Sequence, residues 1–487
     1  MRPRCESMGV RKAGWDRRGR RTWCQEEEVV RLWRGLTAVN MPLATEKGER
    51  VEVVYPGRRN GAHGPDFRDA VIRLDGRLLR GDIEVHVRAS DWRTHGHHRD
   101  PAYDRVAVHV VFEDDGVPAC RSGGDTVPLV TLEGCGLAAG SSSQVPCRGM
   151  VARGGAERLG ECLDRAGEER FLARAAGFWR DIIRLGAGQS LYRGIMGALG
   201  YAENKHAFLA LAERVPLQVL EGLADGAGEG ECAARVQACL LGTAGLLRTL
   251  GWRRPSVGGA NRISAAVLEE AWGLVRGGMP AGVMSPEEWH LCQVRPNNSP
   301  LRRLVAMGLL IHRYRGGGLV TGVLEGLREE PGHRRVRRHL EAAVMVTAHG
   351  GQAGSRLTSG GQGPALIGRE RAAAIVVNVL LPFAFAWGGL CGQQETAARA
   401  LNLYREYPSL AANAVERHMK LQFGATGKLI SSARRQQGLL HLYRTRCTQG
   451  MCPDCELRGG SPPDQDSLRL GTTSKCRESA CRSESRK

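Results

Sequence analysis

Alternating apolar and polar residues predict a β-sheet in the first part of the chain. The period of two that is typical of strands occurs in four segments, at residues 50–55, 70–74, 77–88 and 105–112. Asp75-Gly76, between the second and third segments, is a strong signal for a tight hairpin turn. We also expect an amphipathic helix over 25–36 and a short helical turn after Asp100-Pro101. The predicted order is therefore α-β-β-β-α-β.

The rest of the chain follows a helical pattern. Apolar positions recur at helical spacing from about 156 to 349 and again from 369 to 443. The predicted fold class is α+β, with an N-terminal αβββαβ-type module that contains a small mixed sheet, followed by a larger all-α region. The expected divisions are a disordered basic extension (1–23), the α/β module (24–135), a helical domain (150–349), a Gly/Ser-rich linker (350–368), a helical region ending in a cysteine cluster (369–457) and a disordered tail (458–487).

One face of the segment at 77–88 carries a row of ionisable side chains. Because a strand alternates its faces, Asp82, Glu84, His86 and Arg88 fall on one side and apolar residues on the other. Further histidines follow closely: His95, His97, His98 and His109. We interpret this stretch as a functional site, although an edge strand with a solvated face would show the same alternation.

Charge and composition narrow the class of partner. The 487 residues carry a formal net charge of +18, which favours nucleic acid, while an aromatic content of 5% disfavours an extended base-stacking platform. A basic protein without an anionic partner is the alternative. The N-terminal residues lack an apolar leader, and the apolar run at 372–387 is interrupted by Asn378 and Pro382. We therefore expect a cytoplasmic protein with reduced cysteines, no membrane segment, and a buried helix at this run.

The acids around the hairpin match a pattern of catalytic residues. Asp66 follows a proline, and on the next strand Glu84 and His86 are separated by a single residue. This arrangement resembles the PD-(D/E)xK nuclease fold, in which carboxylates hold Mg²⁺ or Mn²⁺ and a lysine orients the attacking water. The resemblance implies a metal at Asp66 and Glu84, with an additional acid from Glu26, Glu27 or Glu28. The implied catalytic residues are Asp66, Asp82, Glu84 and His86, and Arg88 would bind phosphate.

His86 stands where that fold has a lysine, so two functions stay open. The first is a metal-dependent nucleic-acid phosphodiesterase of unknown substrate. The second is a protein that binds nucleic acid, or acts as a scaffold, and retains a nuclease-like fold without turnover. The histidines also allow another interpretation, in which His95, His97 and His109, with His86, bind Zn²⁺ or Mn²⁺ together with Asp82 or Glu84 in a mononuclear hydrolase site. The simpler alternative is a polar loop beside a hydrogen-bonded strand histidine.

A second constellation lies near the C-terminus, where Cys447, Cys452 and Cys455 fall within nine residues. Close spacing lets thiolates share one ion, so we expect a structural zinc site, with an iron–sulfur cluster or ordinary thiols as alternatives. Cys391 and His441 are the candidates for a fourth ligand. Elsewhere, Arg295 would contact phosphate near a helix start, although Ser299 and Pro300 are explained by helix capping alone.

Six separated motifs resemble one bacterial family: GPDFRDA, GDIEVHVRASDW, HGHHRDPAYDRVAVHVV, ALGYAENKHAFLALAERVP, RPNNSPLRRL and QQGLLHLYRTRCTQGMCPDCEL. Proteins with these motifs are grouped as domain of unknown function 2851. The resemblance runs from about residue 26 to 457. It implies domain order but no activity, because the family is uncharacterised.

Overall fold

The structure is a computed structural model of the whole chain. It describes residues 25–36, 43–133, 147, 155–226, 228–247, 263–278, 282–291, 298–328, 332–347, 365–424, 429–452, 455 and 457. The predicted N-terminal extension, most of the predicted Gly/Ser-rich linker, Arg295 and the C-terminal tail lie outside these residues. Two compact units are present, and the first combines residues from both ends of the described chain.

The first unit is built on one mixed sheet. Its strands are β1 (Leu43–Ala44), β2 (Arg50–Tyr55), β3 (Arg58–Arg59), β4 (Phe67–Leu74), β5 (Arg77–Arg88), β6 (Val106–Glu113) and β7 (Leu129–Thr131). They are ordered β1-β2-β4-β5-β6-β7, with β3 also paired to β4. The pairs from β1 to β5 are antiparallel, whereas β5, β6 and β7 run parallel. The prediction that the four long segments share one sheet is confirmed.

The predicted hairpin joins β4 to β5. Asp75 and Gly76 have φ angles of 44° and 84°, so both occupy the left-handed region that this tight turn requires. Leu74 pairs directly with Arg77 across it. At the opposite end of β4 the register shifts between Phe67 and Ala70, where Asp69 has a φ of 60°. This bulge changes the direction of the backbone amides beside the polar row of β5.

The helix α1 (Glu26–Gly35) covers the sheet through one apolar face. Val29, Val30 and Trp33 are buried with the apolar residues of β4, β5 and β6 in one core. The indole N–H of Trp33 donates to the carbonyl of Pro56 at 3.0 Å. Because α1 is fixed in this way, the acidic residues of its first turn are held beside the sheet.

Residues from the C-terminal part of the chain complete the first unit. They belong to α15 (Ala414–Phe423), the end of α16 (Ala433–Thr445) and a short 3₁₀-helix at Cys447–Gln449. The Tyr55 hydroxyl lies 2.6 Å from His418 Nε2, and the Tyr443 hydroxyl donates to Asp69 Oδ2 at 2.9 Å. Strands β2 and β4 are therefore tied to residues far along the sequence.

The second unit is helical, apart from a short antiparallel pair of strands, β8 (Val346–Thr347) and β9 (Ala365–Ile367). Most of its helices lie between the chain segments of the first unit: α3 (Ala156–Leu185), α4 (Ala187–Leu199), α5 (Lys205–Arg214), α6 (Leu217–Asp225), α7 (Glu229–Thr243), α8 (Ala265–Val275), α9 (Pro300–Arg313), α10 (Leu319–Arg328), α11 (His333–Val344), α12 (Arg369–Ile375), α13 (Leu381–Leu390) and α14 (Gln394–Glu406). The α+β fold class is confirmed.

One helical stretch among the described residues, Arg369–Leu390, is long and apolar enough to cross a membrane. Its centre is a π-helical segment at Val376–Leu380. However, 72% of its most apolar window is buried inside the structure. This agrees with the expected core helix, because a membrane span would present apolar side chains to lipid.

Candidate active site

The carboxyl group of Glu84 is the centre of a buried polar cluster on β5. Its Oε1 atom lies 3.1 Å from Nε2 of His97 and 3.5 Å from Nε2 of His86. Its Oε2 atom accepts the backbone N–H of Asp66 at 3.0 Å. Glu84 and His86 share one face of the strand, as the sequence predicted, and both are buried. The carboxyl group is thus fixed from two sides.

Three histidines converge beside this carboxyl group. One ligand nitrogen from each of His86, His95 and His97 lies within 4.8 Å of the other two, and Nε2 of His86 is 3.1 Å from Nδ1 of His95. His95 ends the short helix α2 (Asp91–Thr94), and Gly96 follows with a φ of 79°. This left-handed turn reverses the chain and brings His97 back to the cluster. His95 is exposed, so the cluster opens to solvent on its side.

Buried side chains behind the cluster hold the imidazole rings in place. His109 lies on β6 in register with Glu84, and its Nε2 atom is 2.8 Å from Nδ1 of His86. The Tyr103 ring stacks on His97 with the centroids 3.8 Å apart. Trp92 contacts both His97 and His109. Partners of this kind fix the ring orientation and tautomer of a metal-binding histidine.

Asp66 and Glu26 add two acids to the same region. The Oδ2 atom of Asp66 accepts the N–H of Val85 at 3.2 Å, and its Oδ1 atom accepts from Nη1 of Arg59 at 2.8 Å. Burial and then the charge of Asp66 raise the pKa of Glu26. Of the three acids proposed on α1, Glu26 interacts electrostatically with Asp66 and His95, and Glu27 interacts with Asp66 and pairs with Arg59 at 3.3 Å.

Burial dominates the electrostatics of the cluster. It raises the pKa of Glu84 to about 8, with a further contribution from Asp66. It also lowers the pKa of His86 to about 2 and that of His109 to about 3, and the neighbouring histidines lower both pKa values further. At neutral pH the imidazole of His86 is therefore neutral and able to donate a lone pair to a metal ion. A divalent cation would stabilise the ionised form of Glu84.

The donor set indicates which metals fit. Three imidazole nitrogens and a carboxylate oxygen suit Mn²⁺, Zn²⁺ or Fe²⁺, whereas Mg²⁺ prefers a shell of oxygen ligands. The site could hold such an ion through Glu84, His86, His95 and His97. His109 contacts the cluster through His86 and lies behind it.

Asp82 and Arg88, the other two residues of the polar row, lie outside this cluster. The fully buried Asp82 accepts from Nη1 of Arg68 at 3.0 Å and from the N–H of Asp69 at 3.0 Å. Its side chain is thus in a separate hydrogen-bond network. Arg88 is about half exposed, with its Nε atom 3.4 Å from Glu113. Cys447, Cys452 and Cys455 belong to the first unit, in the turn that follows α16.

A basic cleft on the first unit was missed by sequence reasoning. It has a volume of about 410 Å³, and its lining includes Arg77, Arg80, Arg105 and Arg121. The lining also includes the carboxylate of Asp104. Both of its oxygens accept hydrogen bonds from Ser122. The high arginine content was the signal for such a surface. Its position depends on the pairing of β5 with β6, which the sequence alone does not show.

Arg59 and Tyr103 were also missed as parts of the site. Arg59 reaches Asp66 because β3 pairs with β4 immediately beside it. A strand of two residues has no periodicity, so the sequence offered no signal for β3. Tyr103 approaches His97 through two consecutive short 3₁₀-helices.

Comparison with known sequences identifies the family. The family described as protein of unknown function DUF2851 matches residues 26–412. The chain therefore belongs to this family, as its motifs indicated. No curated protein and no solved structure matches the chain. The resemblance to the PD-(D/E)xK nuclease fold thus remains a prediction from the residue pattern.

Proposed function

We propose that this chain is a metal-dependent phosphodiesterase that acts on nucleic acid. The observation that carries the proposal is the contact of Glu84, on β5, with His86 and His97. Asp66 and Glu26 lie beside this contact, so carboxyl and imidazole groups are concentrated where the exposed His95 gives access to solvent. An ion bound there would stabilise charge that develops on a phosphodiester and would lower the pKa of a bound water.

Each residue of the site has a separate task in this proposal. Glu84, His86, His95 and His97 hold the ion, and His109 orients His86. Glu26 is exposed and has a raised pKa, and in this proposal it exchanges a proton with the attacking water. His86 would act as a ligand rather than as the base, because its Nδ1 atom is held by His109 and its Nε2 atom faces His95 and Glu84 in the cluster.

The expected metal is Mn²⁺ in preference to Mg²⁺. Sequence reasoning allowed either ion, because it relied on the carboxylates. The imidazoles around Glu84 favour a transition metal. Mn²⁺ accepts imidazole nitrogens as ligands and also binds phosphate oxygens. Zn²⁺ and Fe²⁺ suit the same donors and belong in the same assay.

Nucleic acid is the proposed substrate because of the basic cleft. Arginines bind phosphate groups through paired N–H donors. Arg77 and Arg80 are exposed beside a carboxylate that is already hydrogen-bonded. Arg88 is a further proposed phosphate contact, as is Arg295. We also propose a cytoplasmic location without a membrane partner, since the described cysteines are thiols rather than disulfides and the apolar helix is buried.

The second candidate is a nucleic-acid-binding or scaffold protein without turnover. The observation in its favour is His86, a buried imidazole with a strongly lowered pKa at the position where the nuclease pattern has lysine. This candidate keeps the basic cleft and requires no cleavage.

A cleavage assay distinguishes the two candidates. Wild type and Glu84→Gln would be incubated with single- and double-stranded DNA and RNA, with Mn²⁺, Mg²⁺, Zn²⁺ or Fe²⁺. The proposal expects metal-dependent cleavage by wild type, none by Glu84→Gln, and wild-type activity for the control Glu52→Gln, whose exposed carboxylate pairs with Arg73. Binding of nucleic acid by wild type without cleavage under any metal would favour the second candidate.

A further inference from the structure

The three C-terminal cysteines lie on a compact turn that is anchored on the sheet. Cys447 begins the short 3₁₀-helix, and Gly450 ends it with a φ of 71° and an N–H donated to the Cys447 carbonyl at 3.1 Å. The N–H of Cys455 then donates to the carbonyl of Cys452 at 3.3 Å. Two turns therefore lie within nine residues, one between Cys447 and Gly450 and one between Cys452 and Cys455.

Close packing fixes this turn against strands β2 and β4. A Cβ atom on Gly450 would lie 3.0 Å from Cγ1 of Val71 and 3.2 Å from Cγ1 of Val54. The positive φ and the close approach both require glycine at this position. Because the backbone of the turn rests on the sheet, Cys447 has a defined place in the first unit.

A fourth cysteine meets this turn from a distant part of the chain. Cys147 belongs to the first unit and lies beyond β7 in the sequence. The thiol of Cys447 is close enough to those of Cys147, Cys452 and Cys455 to interact electrostatically with each of them. Burial, followed by these three neighbours, raises the pKa of Cys447. All four cysteines are thiols rather than disulfides.

We propose that Cys147, Cys447, Cys452 and Cys455 together ligate a metal centre, either one zinc ion or an iron–sulfur cluster. Four cysteine thiolates are a complete ligand set for both groups. The sequence pattern supplies three of the ligands, and the fold supplies the fourth.

This inference is independent of the proposed phosphodiesterase activity. The centre would join the chain after β7 to the turn after α16, and so would close the first unit around its sheet. Its role in this arrangement is structural. Loss of the centre would therefore lower stability and leave the ligand set at Glu84 intact.

Metal analysis of the full-length protein tests the proposal. Wild type would be purified without oxygen, and its zinc, iron and acid-labile sulfide would be measured. We expect about one zinc, or iron with an equal amount of sulfide and a brown colour. Cys147→Ser should lose most of this metal. Cys120→Ser, whose backbone carbonyl accepts the Trp92 indole N–H, and Cys391→Ser, in the helical unit, should retain it.

X-ray absorption on the wild-type protein provides a second measurement, which holds even if Cys147→Ser fails to fold. Four protein sulfur ligands at zinc, or thiolate-ligated iron bridged by sulfide, would support the assignment. Three sulfurs and one nitrogen at zinc would overturn the assignment and point to His441 as the fourth ligand. The same conclusion would follow if His441→Gln lost its metal and Cys147→Ser kept it. Wild-type protein that stays metal-free after titration with zinc and after reconstitution with iron and sulfide would also overturn it.

Discussion

His97 and Glu84 face each other across the candidate metal site, with Nε2 of the imidazole 3.1 Å from Oε1 of the carboxyl group. His97 comes from a loop and Glu84 from the middle of the sheet, so the contact joins a loop residue to a rigid strand. The loop can present its histidine only because Gly96 adopts a left-handed conformation. Recognition of the metal thus depends on both strand and loop.

Replacement of His95 by alanine should weaken metal binding. His95 is the exposed member of the trio, so its loss removes a ligand without opening a cavity in the core. We expect the affinity for Mn²⁺ or Zn²⁺ to fall at least ~10-fold, because loss of a partner that only orients a ligand already has about that effect. Isothermal titration calorimetry would measure the change. His98→Ala is the matched control, and an equal loss in both variants would contradict the assigned ligand set.

Asp82→Asn should destabilise the protein without affecting the metal. The buried carboxylate of Asp82 pairs with Arg68 and accepts the N–H of Asp69. Removing one partner of a buried ion pair costs about 3–5 kcal/mol of folding stability, because the remaining charge is left unpaired. Arg68 is partly exposed, so we expect a loss of about 3 kcal/mol or less for Asp82→Asn. Urea denaturation would measure the free energy of unfolding, with Asp104→Asn as the control. A large fall in metal affinity at unchanged stability would show that Asp82 is a ligand after all.

The long strands and the hairpin could be predicted because their signals are local. Residues 77–88 alternate, and the Asp75-Gly76 pair fits the positive φ angles found there. The grouping of Glu84 with His86 followed from the same alternation. Asp82 also obeys it, yet its side chain belongs to another network, because its two oxygens accept from Arg68 and from the N–H of Asp69 at the bulge of β4. Periodicity assigns a face and does not identify the neighbours on that face.

Other parts of the site were beyond sequence reasoning because they depend on contacts between distant segments. The approach of Cys147 to Cys447 follows from the return of the C-terminal residues to the first unit. The arginine cleft requires the parallel pairing of β5 with β6. Neither relationship produces a regular spacing of residues in the sequence, so sequence patterns could not predict it.

Arg80→Gln should reduce nucleic-acid binding and its dependence on salt. Arg80 is an exposed member of the basic cleft. Removing one phosphate contact should lower the slope of log affinity against log salt concentration by about 1. Fluorescence anisotropy at several salt concentrations would measure it. Arg73→Gln is the control, since Arg73 is already paired with Glu52 at 2.9 Å. The same slope in wild type and Arg80→Gln would exclude the cleft as the binding surface.

Acid should destabilise the first unit partly through His418. Burial, and then the charges of Arg58 and Arg34, lower its pKa from 6.5 to about 4. Between these values the unfolded chain binds more protons than the folded protein, so stability is present above pH 6.5 and is lost as the pH falls toward 4. His86 and His109 act in the same direction, because their pKa values are also lowered.

His418→Gln tests this contribution, because glutamine can keep a hydrogen bond to the Tyr55 hydroxyl but does not titrate. Denaturation curves at several pH values should show a smaller loss of stability for the variant than for wild type. His206→Gln, in the helical unit, is the control and should behave as wild type. Equal pH dependence in wild type and His418→Gln would contradict the assignment.

The position of Tyr443, Gly450 and the cysteine turn in the first unit has a consequence for biosynthesis. A ribosome releases the sheet early and the residues that pack on β2 and β4 late, after the whole helical unit. Until then, Tyr55, Val54 and Val71 lack the partners that cover them. The nascent chain therefore carries an incomplete apolar surface through most of its translation, the state in which partly folded proteins aggregate or bind chaperones. Completion of the first unit is a late event that follows synthesis of the C-terminal segment.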